Sequence, residues 1–454
     1  MTSERLATYP EYCDLVMKGG ITSGVVYPAA VYSLHENHKF RSIGGASAGA
    51  IAAAATAAAE LGRASGGFEK LNGLSTELTE EGFLQGLFHP AKPMRASFDL
   101  LFALQRRKGR VQKGVLVAST LLRRFLVWGL VAAAVTIGYF GIMVARFDGA
   151  ISRGDWAGWA LLSVPLVIAL GVGILAGLAV RAVRIAARHL PENRFGMCSG
   201  MPTGSGAALT PWLYAKIQDC AGRDAGEPLT FADLKAGGIT LQMMTTDLTQ
   251  ARPLRVPFEV GRDYLFSLEE FGELFPEPVI SHLRSVCPVE IKADGERPEL
   301  RRFPREDLPI IVATRMSLSF PVLLSAVPLW TERDGIYVRH WLSDGGIGSN
   351  FPIHFFDAWL PTRPTFGLNF TTTNSPVSSD PGEIAYGHRT GGRVRIDKLF
   401  TFLHQILETM QNWRDKAQAE LPGFSDRIQD IPLGPGEGGM NLTMDPATVQ
   451  RLVR

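Results

Sequence analysis

The stretch Gly44-Gly45-Ala46-Ser47-Ala48-Gly49-Ala50 constrains this chain more than any other. It contains Gly45-x-Ser47-x-Gly49, the pattern of a nucleophile elbow, in which a serine sits on a sharp strand-to-helix turn. Such a turn needs a strand before it, a helix after it and small neighbours, so that strand and helix can pass close together. Phe40-Arg41-Ser42-Ile43 supplies a short strand, and the run Ala50–Ala59, interrupted by Ile51 and Thr56, supplies a strong helix former. Gly45, Ala46, Ala48 and Gly49 are all small. The helix that follows would aim its positive end near Ser47, where it can stabilise a developing anion. The competing reading is a Gly/Ala-rich turn in which serine merely caps the helix.

Upstream, Tyr12–Met17 reads as a short apolar strand running into Lys18-Gly19-Gly20-Ile21-Thr22-Ser23-Gly24 and then a helix over Val25–His35. A strand, a glycine turn and a helix in succession can gather backbone N–H groups around an anion. The spacing of a phosphate loop is missing, so with Ser47 downstream an oxyanion hole is the better reading than a nucleotide site. Downstream, Ile239–Asp247 reads as a strand ending in a polar turn, with Asp247 as a turn cap rather than a catalytic acid. The segment Ile310–Pro321 reads as a helical turn ending against proline, and Val338–Leu342 as a strand. The strand leads to Asp344-Gly345-Gly346, where a carboxylate can reach into a site or simply make an Asp-Gly turn. Thr365–Asn369 looks like a buried strand and Ile396–Leu421 like a long amphipathic helix.

Two runs stand apart. Phe125–Val144 and Trp156–Val180 carry no charged residue, and each is long enough to cross a hydrocarbon core of about 30 Å at about 1.5 Å per residue. Arg106, Arg107, Lys108, Arg110, Lys113, Arg123 and Arg124 precede the pair, and Arg181, Arg184 and Arg188 follow it, whereas the link holds only Arg146 and Arg153. Trp156 and Trp159 mark one edge, and Gly173-x-x-x-Gly177 offers a close-packing face. The expectation is a transmembrane hairpin with both flanks cytoplasmic. The competing reading is a buried hairpin in a large core.

Composition narrows the rest. Lys+Arg 46 against Asp+Glu 44 gives no case for nucleic acid. Four scattered cysteines, Cys13, Cys198, Cys220 and Cys287, form no Cys-x-x-Cys and fit a reducing compartment. Residues Met1–Tyr9 lack the apolar core of a signal peptide. A length of 454 residues allows two or three domains.

Taken together, the glycine loop, the elbow, Ser317-x-x-Phe320-Pro321, and Asp344-Gly345-Gly346 with Asn350-x-Pro352 resemble the patatin-like phospholipases, in the family's order and over most of the chain outside residues of about 110–195. The resemblance implies an α/β fold: a three-layer α/β/α sandwich with a mainly parallel central sheet. To it the hairpin adds an insertion, giving 1–114 as the first catalytic part, 115–188 as the transmembrane insertion and 189–454 as the second catalytic part. It also implies a Ser47–Asp344 dyad, an oxyanion hole from the Gly19 and Gly20 amides, supporting glycines at Gly45, Gly49, Gly345 and Gly346, and no cofactor or metal. The activity implied is a phospholipase A-type lipid acyl hydrolase acting through an acyl-enzyme, with a membrane phospholipid or other lipid ester as substrate and the bilayer as partner. The chain departs from the family pattern in the loop: Lys18 takes the first position, Ile21 stands where a third glycine is usual, and Ser23 precedes Gly24 where a basic residue is common. Two rivals share the elbow. A Ser-His-Asp lipase or thioesterase of α/β-hydrolase type needs a histidine, for which His354, His388 and His404 are candidates. A membrane scaffold with a silent site needs none.

Overall fold

The computed structural model describes residues 11–20, 23–99, 187–372 and 412–433, apart from a few single positions within them, and isolated residues elsewhere. The chain divides into two compact units, Met1–His89 with Arg194–Arg454, and Pro90–Asn193. The first holds every residue of the candidate site described below.

Its strands in chain order are β1 (Tyr12–Met17), β2 (Lys39–Ala46), β3 (Gly196–Cys198), β4 (Thr240–Asp247), β5 (Arg252–Val256), β6 (Leu265–Phe266), β7 (Val289–Ile291), β8 (Leu300–Arg302), β9 (Val322–Leu324), β10 (Val327–Arg333), β11 (Ile336–Asp344), β12 (Thr365–Thr372) and β13 (Ile428–Leu433). Eleven of them form one sheet in the order β13-β12-β1-β2-β4-β11-β10-β6-β8-β7, with β5 on β4, while β3 and β9 pair separately.

The sheet is mixed, which corrects the expected mainly parallel sandwich. Its first part, β13-β12-β1-β2-β4, is parallel. From β4 onward every pairing is antiparallel, including β5 on β4. The physical reason is local. β10 and β11 are joined by Asp334-Gly335, both at positive φ (53° and 77°), and a two-residue turn of that hand folds one strand directly back on the other. Parallel neighbours would need a long crossover instead. β1 is buried along nearly its whole length, as a parallel interior strand must be.

The expected two-span hairpin, and with it an integral membrane protein whose catalytic region faces the cytoplasm, is also corrected. Among the described residues no helix is long and apolar enough to cross a membrane. The runs 125–144 and 156–180 lie outside the described residues, apart from isolated positions. Missing charge shows only that a run tolerates burial, and a protein interior provides that as well as lipid does.

Helices α1 (Tyr27–His35), α2 (Ala48–Leu61), α3 (Gly67–Leu78), α4 (Leu209–Ala221) and α5 (Ile310–Ser317) complete the part that matters here. α2 is the hub: it packs on β2 and touches α3, α4 and α5. Its alanines, buried from Ala53 to Ala59, let the surrounding helices come close. The opposite face of the sheet is covered by the chain after β11, where Phe351 and Ile353 pack on Val16 and Phe355 packs on Ala46 and Met244.

Candidate active site

Two sequence motifs converge because of the sheet order. β2 delivers Ser47 immediately after Ala46, and Ala46 lies opposite Met244 of β4. On the other side of β4, Asp344 at the end of β11 lies opposite Thr245. The serine and the aspartate therefore leave neighbouring strand ends with one strand between them.

Ser47 has φ 55° and ψ −130°, a backbone conformation that costs a non-glycine residue energy and persists only when its surroundings impose it. Those surroundings are visible. A Cβ on Gly45 would lie 2.3 Å from Gly49 O, and one on Gly49 would lie 2.3 Å from Met17 O. Both glycines of the elbow are thus required by backbone contact. The Ser47 amide donates to Ser317 Oγ at 3.1 Å, which gives the Ser317-x-x-Phe320-Pro321 motif a function: it braces the elbow. The Ser47 side chain makes no capping hydrogen bond to α2. It is therefore not the helix cap of the competing reading; in the first turn of α2 the Ala50 N–H donates to Ser47 O at 2.9 Å, which leaves the Ala48 and Gly49 N–H groups without intrahelical acceptors.

Asp344 is only 3% exposed. Its amide donates to Ser319 O at 3.0 Å, its carbonyl accepts from Thr246 Oγ1 at 2.9 Å, and its Oδ1 accepts from the Gly346 amide at 2.7 Å. Oδ2 has no hydrogen-bond partner of ordinary geometry. Burial pushes the carboxyl up to about 7, against the opposing influence of the nearby Ser47 hydroxyl and the Gly346 amide. An unpartnered carboxylate oxygen beside a serine hydroxyl, with a pKa close to neutrality, is what proton abstraction from that hydroxyl requires. Gly345 approaches β4 so closely that a Cβ would lie 2.1 Å from Met244 O.

The glycine loop is placed differently from expectation. Gly19 packs against the elbow, with its missing Cβ 2.8 Å from Ser47 Cβ, but its amide donates to Asn350 O at 2.8 Å. Asn350 returns a bond from Nδ2 to Gly19 O at 3.3 Å. The Gly20 carbonyl accepts from the Gly24 amide at 3.1 Å, while Ile21 and Thr22 are outside the described residues. Lys18 points away from the serine: Nζ donates to Asn369 Oδ1 at 2.8 Å.

Two residues that sequence reasoning passed over hold this arrangement. Asp415, 5% exposed, lies in the helical residues 412–419. Its carboxylate accepts from Ser349 Oγ at 2.8 Å, Asn350 N at 2.6 Å and Phe351 N at 2.8 Å, so it fixes the turn that grips Gly19. Nothing in Arg414-Asp415-Lys416 distinguishes it from a solvated charge run. Arg315 on α5 is fully buried and donates to Ser319 Oγ at 2.6 Å, Ser199 O at 2.9 Å and Ser325 O at 3.0 Å. Burial brings it down to about 10. Through Ser319, whose carbonyl receives the Asp344 amide, it supports the acid.

Asp247 caps its turn, as expected, accepting from the Thr249 and Gln250 amides. It also binds His340 Nδ1 at 2.8 Å. Burial opposes its charge, but the bonds from His340 and Gln250 outweigh burial and hold its pKa low. Among the described residues no histidine hydrogen-bonds Ser47 or Asp344. His354 lies on the turn Ile353–Phe356 with Nδ1 unpartnered, and residues 388 and 404 are outside the described residues.

An apolar cavity of about 110 Å³ adjoins the elbow at Ala48 and Gly24 and follows α2 past Ile51, Ala52 and Ala55.

Comparison with known proteins adds kinship. No family model matches the chain. It is 34% identical to the RpoH suppressor of Rhizobium meliloti (strain 1021), over 96% of this chain and 80% of that protein. The crystal structure of VipD from Legionella pneumophila aligns with 98% of this chain at 15% identity and a TM-score of 0.32, a likeness too slight to carry an argument; the chain spans 65% of VipD's length.

Proposed function

Since the chain belongs to the family of the Rhizobium meliloti RpoH suppressor, a name that states no chemistry, we propose a function from the site itself: a serine acyl-ester hydrolase of patatin-like type, with Ser47 as nucleophile and Asp344 as base. The observation that carries the reading is the pairing of a serine at φ 55° with a buried carboxyl whose unpartnered oxygen titrates at about 7.

In this reading Asp344 takes the proton from Ser47 Oγ as the oxygen attacks the ester carbonyl carbon. The charge that develops on the carbonyl oxygen is stabilised by the Ala48 and Gly49 N–H groups at the start of α2, aided by the helix dipole. Gly19 can contribute its amide only by releasing Asn350. Collapse of the tetrahedral intermediate breaks the carbon–oxygen bond, and the leaving alcohol takes the proton from Asp344. Water then repeats the sequence on the acyl-serine, with Asp344 again as base, and releases the carboxylic acid. The cavity beside Ala48 favours a substrate with an apolar acyl chain, and a lipid ester such as a phospholipid fits it. Among the described residues a Ser-His-Asp mechanism draws no support, since no histidine hydrogen-bonds Ser47 or Asp344, and His340, on the same strand as Asp344, has its ring nitrogens on Asp247 and Thr331.

The test is hydrolysis of acyl esters of graded chain length and of phospholipids with a panel of head groups, wild type against Ser47→Ala. Hydrolysis that requires Ser47 supports the reading. Hydrolysis by Ser47→Ala at the wild-type rate, or no hydrolysis of any ester by the wild type, refutes it.

A further inference from the structure

A second, polar cavity behind the Asp344 turn takes no part in the chemistry above. It has a volume of about 190 Å³, and Arg255, Arg414, His354, Ser349 and Glu259 line it. That is room for several waters at about 30 Å³ each, or for one tetrahedral oxyanion with its hydration. Its charge is not internally balanced. Among the described residues neither Arg255 nor Arg414 is in an ion pair; Arg255 lies over the Phe355 ring at 5.3 Å. The neighbouring acids are committed elsewhere: Asp415 to Ser349, Asn350 and Phe351, and Asp357 to Arg427 at 2.7 Å. Glu259 alone among the lining residues is acidic. His354 Nδ1 is buried without a hydrogen-bond partner. Burial, then Arg255 and Arg414, hold the imidazole toward its neutral form against Asp357 and Asp415. The cavity thus gathers two solvent-exposed guanidinium groups, neither in an ion pair among the described residues, and a buried ring nitrogen without a partner. A polyvalent oxyanion is the complement of such a donor set, and guanidinium forks match its geometry.

We propose that this cavity is a binding site for a phosphomonoester dianion, held by Arg255 and Arg414 with His354 completing the donor set. Its position gives occupancy a consequence. Ser349 lines the cavity and donates to Asp415, and Arg414 precedes Asp415 in the same helix. An anion that draws Arg414 inward therefore pulls on the turn that fixes Asn350 against Gly19. This consequence rests on the acyl-hydrolase reading; the binding itself does not.

The binding is measured on the full chain carrying Ser47→Ala, which separates it from catalysis. Inorganic phosphate is titrated calorimetrically, and vesicles of phosphatidic acid in phosphatidylcholine are compared with phosphatidylcholine alone by flotation. Saturable binding of phosphate, of phosphatidic acid vesicles, or of both is expected, and which probe binds identifies a free phosphate or a lipid head group as the source. The double variant Arg255→Gln, Arg414→Gln should weaken it at least about tenfold. Both side chains are exposed, so the fold, checked by circular dichroism, should survive. Glu259→Gln should tighten binding by removing the opposing charge. Failure of both probes to bind, undiminished binding by the folded double variant, or weaker binding by Glu259→Gln would overturn the proposal.

Discussion

Replacing Asp344 by asparagine should stabilise the protein while disabling it. The side chain is almost fully buried, and its carboxyl is pushed from 3.8 to about 7. Between those values the folded chain keeps a proton that the unfolded chain has released. The native state then binds more protons, so stability is highest below the lower value, falls as pH rises toward 7, and is flat above it. At about 1.4 kcal/mol per tenfold change in proton affinity, the burden on the wild type is about 4 kcal/mol at pH 8 and about 0.5 kcal/mol at pH 4. Asparagine keeps the acceptor that receives the Gly346 amide and carries no charge to bury. The assay is urea denaturation of wild type and Asp344→Asn across this pH range. The wild-type midpoint should fall with rising pH relative to the variant, with the variant ahead at pH 8 and the two nearly level at pH 4. A variant no more stable than wild type at pH 8, or ahead by the same margin at both ends, would refute the argument that burial of this carboxylate is a cost borne for reactivity.

Ester hydrolysis, expressed as kcat/KM, should rise about tenfold per pH unit below about 7 and level off above it, as Asp344 loses its proton; a pH-independent profile would remove it as the base. Asp415→Ala strips the acceptor from two backbone amides and a hydroxyl, and should cost about 3 kcal/mol in denaturation experiments together with most of the activity; an unchanged unfolding midpoint would show that the turn is held by something else. Gly49→Ala should leave little folded protein, because its new methyl would lie 2.3 Å from Met17 O, and normal expression of a stable variant would contradict the described elbow.

The elbow was legible because it is a local problem. A serine at positive φ between a strand and a helix demands small residues at fixed offsets, and Gly45 and Gly49 meet that demand within five residues. Asp344 was legible for a similar reason, since Gly345 and Gly346 are forced by Met244 and by the aspartate's own carboxylate. The antiparallel half of the sheet was not read. β6, β7 and β8 have two or three residues each, too few to show a period. The Asp334-Gly335 dipeptide is the local signal for the hairpin that turns β10 back onto β11. Residues whose importance lies in distant partners stayed hidden: Asp415 looked like surface charge, and the Gly19 amide looked free until Asn350 came to meet it. The apolar runs 125–144 and 156–180 lie outside the described residues apart from isolated positions, and among the described residues no helix is long and apolar enough to cross a membrane.

The central claim is that Ser47 is an activated nucleophile. It is tested most directly by treating the full chain with a fluorophosphonate at pH 8 and locating the adduct by mass spectrometry of its peptides. The account predicts a single covalent adduct on Ser47, lost in Ser47→Ala and slowed by orders of magnitude in Asp344→Asn. An adduct on another residue, none at all, or labelling of Ser47 that proceeds at the same rate without Asp344 would contradict it.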